Sequence, residues 1–551
     1  MTAPARASGR RPRLTAGAVA FLTLAAPLSA QEAAQPERTH DIAEVKTGEA
    51  AEYMVIAAHP LAAEAGRAVL AEGGAAADAA VAVQLVLTLV EPQSSGLGGG
   101  AFALWWDAES RALTTYDGRE TAPFAATPDY WLGEDGEPVS WFDAVPGGKS
   151  VGVPGTPALL QTLHDAHGAL PRARLAAPAI ELAETGFRVS PRMAASIAGA
   201  ADYGLTAFPA AVDYFFPKGA PLSAGETLRS PALAATFRRF AAEGAAPFYA
   251  GDLARRVIEA TTKSPLNPGL LTQDDFDAYQ VKERPPVCHP YRGYEICGMG
   301  PPSSGALTVG QILMMLEAHD LGDRPNAEAW RLYAEASRLA FADRGLYMAD
   351  ADFTPMPEGL LNPAYMAGRA ALIDPRQAGV AEPGDPPWEE GALRAPDADG
   401  ERPGTTHFVI RDGAGNVLSV TSTIETGFGS RLMANGYLLN NELTDFSRTP
   451  EVDGAPVANR VEGGKRPRSS MAPTVVFRDG EPVMALGSPG GSRIIGYVAK
   501  TLIALIDWGM TPAEAVALGH VTAAGGRVDL EEGTDAAFLT GAFEAYGLEA
   551  R

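Results

Sequence analysis

Thr405 and Thr423 carry the strongest chemical signal in the chain. Residues 406–411 and 417–423 alternate polar and apolar with period 2 around Asp412-Gly413-Ala414-Gly415-Asn416, the pattern of an antiparallel hairpin. With Gly413-Ala414-Gly415 as the loop, Asp412 opposes Asn416, and counting outward sets Thr405 directly opposite Thr423. Phe408, Ile410, Leu418 and Val420 then share the face predicted to be core, and Thr405, His407, Thr421 and Thr423 share the other. A threonine hydroxyl is a poor nucleophile at neutral pH and needs a base beside it. A cut before Thr405 would supply one, because its own α-amine would titrate near pH ~7.7–8.0. Thr423 is placed to hydrogen-bond that nucleophile and fix its rotamer. The same Thr405 hydroxyl can make the cut by attacking the carbonyl of Gly404, where glycine offers little steric resistance. The oxyanion that develops needs donors, and Ser488-Pro489-Gly490-Gly491 joins a strand to a helix, so its N–H groups can converge on an anion. Thr-Thr begins many strands and Gly-Gly precedes many helices. The signal is their conjunction behind a linker that ends at position 404.

The elements that must position these residues are legible from periodicity. Two helices are expected between Glu64 and Val90, broken at Gly73-Gly74, then a strand over 101–106 paired with 113–116. Residues 150–260 read as mostly helical, with a helix starting at Ala176 and Pro178 in its first turn. A strand–turn–strand follows over 281–299, then the loop Pro301-Pro302-Ser303-Ser304-Gly305, a helix through Leu316, and another over 330–347. In 374–404 Pro, Gly, Asp and Glu dominate and apolar periodicity vanishes, the mark of a flexible linker. A second hairpin, 474–477 with 483–486, turns at Asp479-Gly480 and leads through the Gly490-Gly491 loop into a helix from Arg493 to about Trp508. Cys288 and Cys297 flank a hairpin turn at Arg292-Gly293, and counting outward makes them a directly opposed pair. That separation suits a cross-strand disulfide; two buried thiols are the alternative.

Composition and motif checks remove other chemistries. Lys+Arg 44 against Asp+Glu 67 leaves −23, a charge that repels phosphate backbones, so no nucleic-acid partner is expected. Gly147-Gly148-Lys149-Ser150 lacks the upstream glycine of a phosphate loop, since position 143 is Asp143. The glycines from Gly96 to Gly100 follow a helix and precede a strand, the reverse of the dinucleotide fingerprint. His164 and His167 share a helix face without a third ligand and read as solvated, and neither a metal nor another cofactor is expected. Residues 1–30 have the layout of a cleavable secretory signal: a basic stretch to Arg13, an apolar one over 14–26, and Ala30 at the cut. A secreted or periplasmic protein without a membrane span is expected.

Several blocks together resemble the γ-glutamyltransferase (γ-glutamyltranspeptidase, glutathione hydrolase) family of N-terminal-nucleophile hydrolases. They are Pro403-Gly404-Thr405-Thr406-His407-Phe408, Asn440-Asn441-Glu442-Leu443-Thr444-Asp445-Phe446-Ser447, Lys465-Arg466-Pro467-Arg468-Ser469-Ser470-Met471 and Gly487-Ser488-Pro489-Gly490-Gly491-Ser492-Arg493. Asp117-Gly118-Arg119-Glu120, Val151-Gly152-Val153-Pro154-Gly155-Thr156 and the 301–305 loop match as well, so the likeness spans about residues 50–530. It implies an α+β fold, a four-layer αββα sandwich formed by two autocleaved subunits, 31–404 and 405–551, the second C-terminally short. It implies that Thr405 takes the γ-glutamyl group from glutathione or another γ-glutamyl compound and passes it to water, an amino acid or a dipeptide. Thr423 would support the nucleophile, and Gly490 and Gly491 would form the oxyanion hole. Arg119 with Ser469 and Ser470 would hold the substrate's α-carboxylate, a fork and two hydroxyls suiting that group. Glu425, where many members have Asn, would hold the α-ammonium with Glu442 and Asp445. Without the family, Arg119 reads as a surface ion pair with Glu120, and Glu442 and Asp445 as a solvated loop face. The stretch 448–464 is shorter than the lid of some members, which would leave the cleft open to larger donors. A cephalosporin (glutaryl) acylase of the same family is the near rival, disfavoured because those acids would then face no cation. An uncleaved periplasmic binding protein is the rival from another class.

Overall fold

The structure, a computed structural model, describes residues 1–2 and 47–551 apart from 375, 390 and 398–403. The chain divides into two compact units, Met1–Gln35 and Pro36–Arg551. Only Met1 and Thr2 of the first are described, so the expected secretory signal lies outside the described residues, and the fold below is that of the second unit.

Six strands form an antiparallel sheet in the order Met54–Ile56, Thr405–Arg411, Val417–Thr423, Gly100–Asp107, Ala112–Gly118 and Lys282–Arg284. Thr405 pairs with Thr423 and Ile410 with Leu418, the register that the loop spacing predicts. Thr423 pairs in turn with Gly100, and Ala101 with Gly118. One end of the sheet therefore carries Thr405, Thr423, Gly100 and, just past Gly118, Arg119, on four adjacent strands. A second sheet runs Glu481–Leu486, Thr474–Arg478, Tyr294–Gly298, Val287–Tyr291. The stretch expected as one strand–turn–strand over 281–299 is divided between the two sheets. Lys282–Arg284 edges the first, and after Pro285-Pro286, which has no N–H to donate, the hairpin joins the second. Its register sets Cys288 opposite Cys297, and the two are joined as a disulfide with Cα atoms 4.1 Å apart, so the buried-thiol alternative falls.

The alternation of Gly100–Asp107 shows how the layers stack. Ala101, Ala103 and Trp105 pack with the helices Pro60–Ala71, Ala76–Val90, Thr156–His167 and Arg172–Thr185. Phe102, Leu104 and Trp106 pack instead with Ile296, Val475 and Phe477 of the second sheet. The far side of that sheet is covered by Gly305–Leu316, Ala327–Tyr347 and Arg493–Ile506. The architecture is α+β, helices outside and two sheets face to face within. Ala76–Val90 is buried on every side, and its alanines and valines fit the space between sheet and outer helices.

The hairpin's apolar face, Phe408, Ile410, Leu418 and Val420, is core as predicted, and it is the helices that it meets. Its polar face is not open either: it lies against the second sheet, where the Ser419 hydroxyl reaches the Leu486 carbonyl at 3.5 Å. Three further expectations change. The helix expected from Ala176 begins at Arg172, with Pro171 as its cap and Pro178 in its interior. His164 and His167 are not solvated: His167 stacks on Trp105 with centroids 4.2 Å apart and bonds the Tyr116 hydroxyl at 2.7 Å, while His164 bonds the Leu170 carbonyl. The stretch after 374 is not loose throughout, because Ala395 bridges Val457 and the covered carboxylate of Asp397 bonds Arg468 Nη2 at 2.9 Å. Among the described residues no helix is long and apolar enough to cross a membrane.

Candidate active site

The hairpin's open end sets the geometry. The Thr405 hydroxyl lies 3.4 Å from Thr423 Oγ1, and Thr423 donates its own proton to the carbonyl of Gly404 at 3.0 Å. Thr423 also accepts the N–H of Glu425 at 2.8 Å, which fixes its rotamer. All three residues at positions 404, 405 and 423 are buried. A Cβ on Gly404 would fall 2.0 Å from the Glu425 carbonyl oxygen, so only glycine fits before Thr405. One hydroxyl thus touches both the nucleophile candidate and the carbonyl beside it.

Two residues further along the same face, His407 bonds Thr421 Oγ1 at 2.9 Å, and burial pushes its imidazole down to about 3. It is a neutral spacer. Its ring fills the room where a Gly487 side chain would go, with ring atoms 2.3 Å from an ideal Cβ. The loop that begins at Gly487 therefore leaves the second sheet directly against the strand Thr405–Arg411. Gly490 and Gly491, with φ of 138° and 58°, close that loop at the start of the helix Arg493–Ile506. Their carbonyls accept the first helical N–H groups, from Arg493 and Ile494.

Arg119 begins at the same sheet end, and neither surface reading survives. Arg119, Glu442 and Asp445 are all buried. The guanidinium bonds Glu442 through Nη1 and Asp445 through Nη2, the latter at 2.6 Å, and donates to the carbonyls of Pro467 and Arg468. The groups expected to hold opposite ends of a ligand are paired with each other. Glu425 accepts from the side-chain amide of Asn441. Ser469 Oγ accepts the N–H of Met471, and Ser470 Oγ accepts from Arg344. The structure thus brings Arg119, Glu442 and Asp445 into one network, sets Glu425 against the side chain of Asn441, the residue before Glu442, and lays Ser469 and Ser470 directly after the carbonyls that Arg119 holds.

Sequence reasoning missed three participants. Glu120, read only as a surface partner for Arg119, is wholly buried, with its carboxyl against Gly100. Burial raises the pKa values of Glu120 and Glu442, whose carboxyls both lie beside the Arg119 guanidinium. Its adjacency to Arg119 was the only available signal. Asn441 accepts from Thr426 and donates to Glu425 and Thr444, fixing the turn after Thr423; its position inside Asn440-Asn441-Glu442 hinted at this. Arg344 had no sequence signal, since it sits in an unremarkable last helical turn.

Comparisons with known proteins agree on one family. The gamma-glutamyltranspeptidase family model matches residues 62–547. The chain is 39% identical over 498 residues to the glutathione hydrolase proenzyme of Bacillus subtilis (strain 168), covering 88% of this chain and 83% of that protein. It is 38% identical over 475 residues to the corresponding Escherichia coli (strain K12) proenzyme, covering 84% and 79%. The crystal structure of cephalosporin acylase from Bacillus halodurans superposes with a TM-score of 0.82 at 27% identity, covering 94% of this chain and 92% of that one. The threonine pair at the end of the central hairpin and the buried guanidinium with its acids thus lie within a sequence that matches one family nearly end to end: the chain belongs to the gamma-glutamyltranspeptidase family and is a γ-glutamyl hydrolase and transferase.

Proposed function

We propose that the chain is a precursor that cuts itself between Gly404 and Thr405 and then works as a two-subunit enzyme with Thr405 as its N-terminal nucleophile. The observation that carries this is the Thr423 hydroxyl, bonded to the Gly404 carbonyl and beside Thr405 Oγ1. In the precursor, Thr405 Oγ1 attacks the Gly404 carbonyl carbon while Thr423 stabilises the developing oxyanion. The C–N bond breaks, the Thr405 nitrogen takes the proton lost by the hydroxyl, and an ester remains. Water hydrolyses that ester, leaving a Gly404 carboxylate on residues 31–404 and a free amine on residues 405–551.

The new α-amine is then the base. It takes the Thr405 hydroxyl proton as the oxygen attacks the γ-carbonyl of glutathione or another γ-glutamyl compound, and it returns the proton to the departing amine. The N–H groups of Gly490 and Gly491 serve the oxyanion. Water resolves the acyl-enzyme in hydrolysis, an amino acid or dipeptide in transfer. Ser469, Ser470 and Arg119 receive the α-carboxylate, and Glu425, Glu442 and Asp445 receive the α-ammonium. The acid-rich pocket supports a γ-glutamyl donor over a glutaryl one, because buried acids in excess of cations favour a ligand that brings a positive charge. An exported protein fits the basic-then-apolar first thirty residues, and the disulfide suits an oxidising compartment.

Intact mass and a denaturing gel of the protein and its Thr405→Ala variant test the scheme. Two fragments with a new N-terminus at Thr405, absent in the variant, are expected. One uncut chain in both would overturn it.

A further inference from the structure

Arg344 has no part in the scheme above, yet it touches the site. It lies in the last turn of the helix Ala327–Tyr347, is 4% exposed, and donates through Nε to Ser304 Oγ at 2.8 Å and through Nη2 to Ser470 Oγ at 2.9 Å. Ser304 passes its own proton to the carbonyl of Ser469 at 2.8 Å, and the Ser304 N–H reaches the same oxygen at 2.7 Å. The Ser469 N–H is taken up by the Pro302 carbonyl at 3.0 Å. The segment 469–470 is therefore held on one side by Arg344 and the loop that contains Pro302 and Ser304, all of which precede the Gly404–Thr405 bond.

The donor and acceptor inventory of a hydroxyl gives this clamp a direction. A serine has one proton and two lone pairs, and a guanidinium only donates. Arg344 thus fills a lone pair on Ser470, and the serine proton is left for an acceptor elsewhere. A positive charge on the oxygen's far side also makes that O–H a stronger donor. Arg119 flanks the same segment from its other end, through the Arg468 carbonyl at 2.9 Å, but its guanidinium is already engaged by Glu442 and Asp445. A carboxylate arriving at 469–470 would gain from a second guanidinium acting through Ser470.

We propose that Arg344 is a positioning residue for the substrate's α-carboxylate: it orients and polarises the Ser470 hydroxyl so that its proton meets the carboxylate. The inference rests on the reading of Ser469 and Ser470 as carboxylate-binding residues.

A double-mutant cycle on γ-glutamyl-p-nitroanilide tests it. Ser470→Ala and Arg344→Gln are each expected to raise KM about tenfold, the value of one charge-strengthened hydrogen bond, with kcat changed less than about threefold. The double variant is expected to be no worse than Ser470→Ala alone, because Arg344 acts through that hydroxyl. A KM raised about a hundredfold in the double variant, or a loss in Arg344→Gln that falls on kcat, overturns the proposal. Denaturing gels report whether each variant is cleaved. If Arg344→Gln does not fold, Arg344→Lys, which keeps the charge but has one nitrogen for the two serines, takes its place with a smaller expected rise in KM, and a double variant worse than Ser470→Ala alone again overturns the proposal. Wild-type protein that is cleaved but does not turn over the anilide would overturn the γ-glutamyl reading, and this inference with it.

Discussion

The Thr405–Thr423 hairpin and the acid–guanidinium cluster stand at the same end of one sheet, but they are built in opposite ways. The hairpin is local: Thr405, Thr423 and His407 are fixed by a single turn and the two-residue period of its strands. The cluster gathers Arg119 and Glu120 from one strand end, Glu442 and Asp445 from a short 3-10 turn, and the carbonyls of Pro467 and Arg468 from a third segment. The hairpin holds neutral hydroxyls and a neutral imidazole, whereas the cluster holds charges taken out of water. Substitutions in the first should therefore fall on chemistry and spare the fold; in the second they should fall on stability and substrate binding.

The largest effect sharpens that contrast. Thr405→Ala is expected to abolish both cleavage and turnover, with a melting temperature within a few degrees of the wild type, read by gel, anilide assay and thermal scan. Thr423→Val removes the hydroxyl that bonds the Gly404 carbonyl while keeping the shape, and should slow cleavage by about a hundredfold, the value of one oxyanion donor. Arg119→Gln should do the reverse. It leaves Glu442, Asp445 and Glu120 buried without their cation and should destabilise the protein by about 3–5 kcal/mol in chemical denaturation while raising KM. A Thr405→Ala protein that melts far below the wild type, or an Arg119→Gln protein as stable as it, would erase the distinction.

The smallest effect separates the two regions by the sign of their pH dependence. His407 stays neutral in the fold, with its pKa pushed down to about 3, whereas the unfolded chain takes a proton below about 6.5. The unfolded state then binds more protons, so this residue costs stability as pH falls from about 6.5 toward 3. Glu442 has the opposite sign: its pKa is raised by burial, so the stability it contributes is full below the ordinary glutamate range and is lost as pH climbs through the raised value. His407→Asn should flatten the acid limb of a melting-temperature profile, and Glu442→Gln the alkaline limb. Identical profiles for both variants would show that the regions do not titrate separately.

How much of this was legible in the sequence follows the same divide. The Thr405–Thr423 register, the Cys288–Cys297 pairing and the polar face of the hairpin could be counted outward from their turns, because pairing across a tight turn depends only on local spacing. The burial of Arg119 and the acids could not, since a charged loop residue looks solvated until distant segments close over it. The chain's switch between sheets at Pro285-Pro286 and the start of a helix at Arg172, ahead of Pro178, were hidden for a related reason: tertiary packing overrode local propensity. Arg344 lay furthest from view, its partners supplied by two loops remote in sequence.

The anchoring of Asp397 on Arg468 has a mechanical consequence. Six residues lie between Asp397 and Gly404, so the tether from that ion pair is seven residue steps, at most ~25 Å when fully extended. A carboxylate released at Gly404 could not drift away. It would stay leashed beside the groups proposed above to receive a substrate carboxylate, at an effective concentration in the millimolar range or above, and would compete there with every incoming donor. The grip of Arg468 on Asp397 would thus act as a brake on the newly cut enzyme, and its release would set how quickly the protein passes from cleaved to fully active.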